Sequence, residues 1–203
     1  MNKISKKTSH LVLIVLISLL TACAGVVKLE GSQTINGKMT VKLDEAWNKI
    51  NLPGNNQPFD QWTQEGITLD HLRFWAAIPS GQSLLTVPAR AAEPGKAAPR
   101  LPTYRAGMPA DELVGLFEIM YSADGSIVTA TKVEQSSFAG EKGVKFEFTV
   151  LRKSDDVRLQ GTAWIVVRNN QLYAASFVAP KLAFFPRLLP KAQNVVNTAL
   201  ING

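Results

Sequence analysis

The sequence predicts an α+β fold: a twisted antiparallel sheet with helices packed outside it, in a single domain. Three observations predict it. Four consecutive runs between Ile127 and Val178 alternate apolar and polar residues and are joined by short links. Two other stretches, Pro109–Tyr121 and the segment after Pro180, repeat their apolar residues at helical spacing. The apolar fraction of 46% suffices for a packed core rather than a disordered chain.

Taken in chain order, the first 22 residues stand apart. Lys3, Lys6 and Lys7 precede the apolar run Leu11–Leu20, and Leu20-Thr21-Ala22-Cys23 follows it. A bilayer-spanning helix needs about 20 apolar residues, so this shorter run fits the h-region of a signal peptide. Residues 23–37 are small and polar in the main. They read as a tether, with an edge strand at its end.

Lys38–Leu43 alternates as a strand, with Met39, Val41 and Leu43 on one side. Asp44-Glu45-Ala46-Trp47 reads as a turn or a helical start, and Pro53–Pro58 as a loop. Phe59–Gln64 reads as a strand that Gly66 breaks. In the next segment Ile67 and Leu69 share one parity, while Leu72, Phe74, Ala76 and Ile78 share the other. Side chains on a strand alternate with period two, so this predicts a bulge or kink at Asp70-His71. Residues 79–107 hold Pro88, Pro94, Pro99 and Pro102 and few bulky apolar residues, which predicts a long exposed excursion.

Pro109 and Asp111-Glu112 mark a helix N-terminus, with Leu113, Leu116, Phe117 and Met120 as the buried stripe. Ile127–Val133, Val144–Val150, Val157–Arg168 and Gln171–Val178 form the predicted meander, with Asn169-Asn170 as a hairpin turn. A last helix is expected to reach about Ile201, with Leu189, Ala192, Val196 and Ala199 or Leu200 facing inward. All helices are expected on one face of the sheet.

Composition narrows the function. The chain carries 22 Lys+Arg against 16 Asp+Glu. Three of the lysines belong to the signal and none of the acids does, so 19 against 16 stay with residues 23–203. No dense basic run is present, which argues against nucleic acid as a partner. Cys23 is the only cysteine and His71 the only histidine beyond the signal. That excludes an internal disulfide and the zinc sites built from several His or Cys ligands; no metal and no cofactor is expected. No P-loop, dinucleotide fingerprint or GxSxG elbow occurs.

The weak catalytic candidates are Asp70 and His71, with Ser80 or Ser83 downstream. The plainer reading is a polar pair at a bulge or loop edge. The pairs Asp44-Glu45, Asp111-Glu112 and Asp155-Asp156 are sequence neighbours, which is not the arrangement of two carboxylates across a cleft. Of the four tryptophans, Trp62 and Trp75 are candidates for an aromatic-lined ligand or partner groove, against the alternative of core packing. Trp75 has the parity opposite to Leu72, Phe74 and Ile78, so it is expected to point away from the main core.

Two resemblances follow from these residues. Leu20-Thr21-Ala22-Cys23 resembles the bacterial lipobox. The resemblance implies a diacylglyceryl group on Cys23, cleavage before it, and a soluble domain held on a membrane by acyl chains. Ala24 stands where enteric-type bacteria place an aspartate for inner-membrane retention, which implies the periplasmic face of the outer membrane. The mature part is similar to the PsbP/Mog1-like superfamily, through Phe138-x-Gly140, Gly143-Val144-Lys145-Phe146, Gly161, Leu172-Tyr173 and Ala179-Pro180 before the last helix. It also resembles small proteobacterial envelope proteins with Trp62-Thr63, Gly66 and the strand Leu69–Phe74. These patterns imply a fold. The activity left open is a non-catalytic binding or envelope-accessory module with an envelope protein partner, a hydrolase, or a small-ligand carrier.

One prediction rests on the lipobox alone. Cys23→Ser should abolish labelling of the protein with radioactive palmitate; a variant that still takes up label would overturn the anchor.

Overall fold

The computed structural model describes residues 25–51, 56–86 and 101–203. The expected signal, Cys23 and Ala24, residues 53–55 of the expected loop, and residues 87–100 of the expected excursion lie outside them. The elements in order are β1 (Val26–Ile35), β2 (Met39–Ile50), β3 (Asp60–Thr63), β4 (His71–Pro79), α1 (Ala110–Tyr121), β5 (Ile127–Phe138), β6 (Glu141–Leu151), β7 (Arg158–Arg168), β8 (Gln171–Pro180), α2 (Phe184–Asn197) and β9 (Leu200–Ile201). The strands form one antiparallel sheet in the order β1-β2-β3-β4-β8-β7-β6-β5, with β9 added beside β2.

The meander β5–β8 follows the sequence pattern. Its hairpins turn where the chain can enter the left-handed region: Asn169 and Asn170 both have positive φ, as do Ala139 and Gly140. The central strands are buried on both faces. Phe146 and Phe148 pack with the α1 stripe, while Trp164, Tyr173 and Phe177 pack with Phe185, Leu188 and Ala192 of α2. The two helices therefore cover opposite faces, not the single face expected. A sheet whose middle strands are apolar on both sides must bury both.

Other expectations are corrected. Residues 26–35 are not mostly tether; they form β1, paired with β2 along its length. Only Leu29 and Ile35 of this edge strand are buried, so its apolar alternation is faint. Asp44–Trp47 neither turns nor starts a helix but continues β2, where Trp47 pairs with Leu29 and is fully buried. The last helix ends at Asn197, and Leu200 lies exposed in β9. The ends of the excursion are not exposed chain: Leu84 and Tyr104 are buried, and Ser83 bridges Thr103.

The register irregularity of β4 falls between Trp75 and Ile78, not at Asp70-His71. Ala77 has a φ of 59° there. Leu72, Phe74 and Ala76 face α2, Trp75 faces α1, and the bulge turns Ile78 to the α1 side. Ile67 and Leu69 belong to the preceding turn, so their parity carries no strand information.

Close strand packing gives a paired prediction. A methyl group on Gly143 would overlap the Ile165 carbonyl oxygen of the neighbouring strand, whereas one on Gly115 of α1 meets open space. Gly143→Ala should cost roughly 1–3 kcal/mol. Gly115→Ala should gain about 0.5–1 kcal/mol from helix propensity. Urea midpoints with unchanged m-values would show opposite shifts; shifts of the same sign would contradict this packing.

Candidate functional site

The turn from β3 into β4 is built around Asp70. Its carboxylate is fully buried and accepts from Thr63 Oγ1 at 2.7 Å, Gln64 N at 2.8 Å and Glu65 N at 2.8 Å. Gly66 N donates in turn to Thr63 Oγ1 at 2.8 Å, and Gly66, with φ 126°, closes the loop. Both Asp70 oxygens are occupied by this turn. None of these bonds reaches His71.

β4 then alternates. His71, Arg73 and Trp75 face the α1 side of the sheet, while Leu72 and Phe74 face α2. Trp75 is packed edge-on to Phe117 at 5.3 Å, and its Nε1 donates to the Leu84 carbonyl at 3.0 Å. Trp62 packs on Phe74 at 4.9 Å in the other core. Both tryptophans are core residues, and neither lines the two cavities beside β4. Both rings are buried, so neither is presented to a ligand at the surface. Trp75 does point away from Leu72 and Phe74, but into a second core, because the sheet has two buried faces.

His71 and Arg73 meet the C-terminal end of α1. The His71 ring stacks on Tyr121 at 5.9 Å, and the Arg73 guanidinium lies over Phe59 at 4.7 Å and over Tyr121 at 5.4 Å. Arg73 Nε donates to Gln61 Oε1 at 2.7 Å. Tyr121 OH and Ser176 Oγ share a hydrogen bond of 2.7 Å. Of these groups, Gln61, His71, Arg73 and Tyr121 line a half-open cavity of about 320 Å³ between β4, the end of α1 and the β6–β7 loop. Arg152 lines its rim, held by Asp155 at 2.8 and 2.6 Å and by the Thr68 carbonyl at 3.0 Å. Asp124 lines another side and accepts from Ser126 N at 2.9 Å.

The electrostatics of the cavity follow from burial. His71 Nε2 is buried with no hydrogen-bond partner. Burial, then the nearby charges of Arg73 and Arg152, hold the imidazole well below its ordinary pKa. Burial also lowers Arg73, with Tyr121 acting in the opposite sense, and raises the Tyr121 phenol. The cavity thus contains a neutral imidazole and a desolvated guanidinium.

The catalytic candidates do not converge. Ser80 lies nine residues beyond His71, about 30 Å along a strand at about 3.3 Å per residue. Ser80 Oγ accepts from Ala106 N, and Ser83 Oγ donates to the Leu85 carbonyl. Each of the carboxylate pairs has at least one member engaged in a structural contact. Glu45 binds Lys191, Asp44 binds Asn194, Glu112 binds Arg105 and Asp155 binds Arg152. Arg73 and Tyr121 went unmarked in the sequence. Their signal was a cation inside the apolar run Leu72-Arg73-Phe74-Trp75 and a tyrosine one position past the Met120 of the helical stripe.

His71 gives a pH prediction. A histidine in the unfolded chain titrates near 6.5. The folded pKa is lower, so below about pH 6.5 the unfolded state takes up the proton first and stability falls, by at most about 1.4 kcal/mol per pH unit. Wild type should therefore lose stability between pH 7.5 and 5.5 relative to His71→Ala, in urea titrations across that range. Parallel curves would refute the buried neutral imidazole.

No protein-family model matches the chain, and no curated protein matches it. Among solved structures it is similar to the solution structure of cyanobacterial PsbP (CyanoP) from Synechocystis sp. PCC 6803. The TM-score is 0.51 at 10% identity, over 90% of this chain and 95% of that one. At that identity the likeness concerns the fold alone: this is a single-domain, PsbP-like α+β fold, a twisted antiparallel sheet with its helices outside.

Proposed function

We propose that the chain is a lipid-anchored envelope lipoprotein whose α+β domain is a non-catalytic binding module. In this reading Cys23 carries the lipid and the domain faces the periplasm from the outer membrane. The lipobox residues Leu20-Thr21-Ala22-Cys23 support the anchor, and Ala24 supports the outer membrane. The observation that carries the binding role is the cavity at the end of α1. The buried imidazole of His71 and the desolvated guanidinium of Arg73 line it beside Ile67, Leu69, Leu85 and Leu159. A few convergent polar groups in an otherwise apolar recess is the usual make-up of a small-ligand site.

The hydrolase alternative lacks its machinery among the described residues. Asp70 is consumed by its turn, and no serine stands within hydrogen-bonding reach of His71. Nucleophilic catalysis needs nucleophile and base in contact, with the base oriented by a third group. The carrier reading merges with the binding module, with Tyr121 as the lining aromatic in the place expected of Trp62 and Trp75.

The lipoprotein purified from envelopes in its lipidated form should release a small molecule on denaturation. That compound, added back at 100 times its Kd, should stabilise the protein by about 2.7 kcal/mol and be recovered chemically unchanged. Its steady consumption would put an enzyme in first place. Absence of both released compound and thermal shift would sink the binding role of this cavity.

A further inference from the structure

We infer that the cavity beside α1 takes an organic monoanion: a carboxylate held by Arg73, with an apolar tail against the walls. This rests on the binding-module reading and adds the chemical class of the ligand.

The head-group argument starts with charge. Every ion pair among the described residues is made by a cation other than Arg73. The guanidinium is clamped between the rings of Phe59 and Tyr121, and Gln61 takes its Nε–H. Clamped this way, its terminal N–H groups are fixed in direction before any ligand arrives. A planar fork of donors matches a carboxylate in two parallel hydrogen bonds, which a neutral oxygen cannot reproduce. His71 stands two residues away on the same face of β4, with Nε2 unpartnered.

The number of charges is limited to one. Arg152, the second cation of the cavity, already has Asp155 on two of its nitrogens and the Thr68 carbonyl on the third. Asp124 adds a negative wall. Among the described residues, a phosphate dianion would meet one free cation and one repelling carboxylate. Most of the remaining wall is apolar, with Ile67, Leu69, Leu85, Met120, Leu159 and Val178 beside Thr68 and Ser126. They reward an apolar tail and offer nothing to a fully hydrated inorganic ion. About 320 Å³ lies at the small end of ligand sites, which suits a short or medium aliphatic chain.

The test uses the full lipidated chain in phosphatidylcholine nanodiscs, titrated calorimetrically with octanoate, 1-octanol and octyl phosphate, with empty nanodiscs subtracted. Octanoate should bind at least about tenfold tighter than 1-octanol, the worth of one charge-assisted hydrogen bond. It should also bind more tightly than octyl phosphate at pH 8. Arg73→Met should bring octanoate down to the level of 1-octanol and leave 1-octanol within about twofold. Should Arg73→Met fail to fold, as its melting temperature would show, the ratio measured on wild type decides. Equal binding of octanoate and 1-octanol would overturn the monoanion and leave the cavity a ligand site. Tighter octyl phosphate would overturn the single-charge argument. No binding of any of the three would overturn this inference and the role of the cavity together.

Discussion

Strand β8 runs eight consecutive buried residues, Leu172 to Ala179, through the middle of the sheet. Its even-numbered side chains Leu172, Ala174 and Val178 lie in the α1 core, and Tyr173, Ala175, Phe177 and Ala179 lie in the α2 core. A strand apolar on both faces cannot leave either to water. Each fully buried aliphatic or aromatic side chain contributes roughly 1.5–3 kcal/mol, so exposing one face would forfeit the fold. The two helices must take opposite sides, and α2 has to follow β8 directly around one edge of its strand. The position of α2 is further tied by Lys191 to Glu45 and by Thr198 to the Lys42 backbone.

The same constraint explains the cavity. α1 has 12 residues and is about 18 Å long at about 1.5 Å per residue. β4 has 9 residues and spans about 30 Å. The helix covers Trp75 through Phe117 and comes to its end at Tyr121, beside His71. Beyond that point no helix among the described residues covers the sheet. The residues there are polar for this reason: a histidine, an arginine and a serine occupy the face that Trp75 and Phe146 fill farther up. The cation also suits the place, since the carbonyl end of a helix carries partial negative charge. That end gives Arg73 a dipole to face without supplying a full counter-ion, which leaves the charge open to a ligand.

The meander β5–β8 and the helix Ala110–Tyr121 were legible because each has one clear periodicity. The asparagine hairpin was legible because few residues enter the left-handed region readily. What the pattern hid has a common physical origin. Along β4, Phe74, Trp75, Ala76, Ala77 and Ile78 are all buried, so alternation ceases to mark faces and the bulge at Ala77 leaves no parity signal. Edge strand β1 hid for the opposite reason, with too little buried to show a pattern. Asp70 and His71 looked like a pair because they are adjacent. Adjacency in an extended chain sends side chains to opposite faces, and Asp70 is locked under its own turn. Removing that carboxylate would leave three donors unpaired in a buried place, so its presence has a structural reason that no catalytic role is needed to supply.

The start of β1 bears on how the domain would sit on a membrane. A tether running to residue 37 would let the domain range freely. The strand instead begins at Val26, and Asn51 N already donates to the Gly25 carbonyl at 2.6 Å. Were Cys23 lipidated, it would stand three residues before Val26, a reach of roughly 10 Å at about 3.5 Å per residue. The acyl chains would then hold this end of the β1–β2 pair against the lipid head groups. Val26 and Val27, 60% and 49% exposed, are the first side chains to arrive there. Their exposure at an edge strand costs stability in water and little at an interface, where apolar side chains are partly sheltered. Lys28, directly after them, forms an ion pair with Glu30 and keeps the next part of the strand hydrated. So short a tether would restrict the domain to orientations with the β1 edge toward the membrane. The sheet order places β4 three strands away from that edge, so the cavity sits inward of β1 rather than at the strand itself.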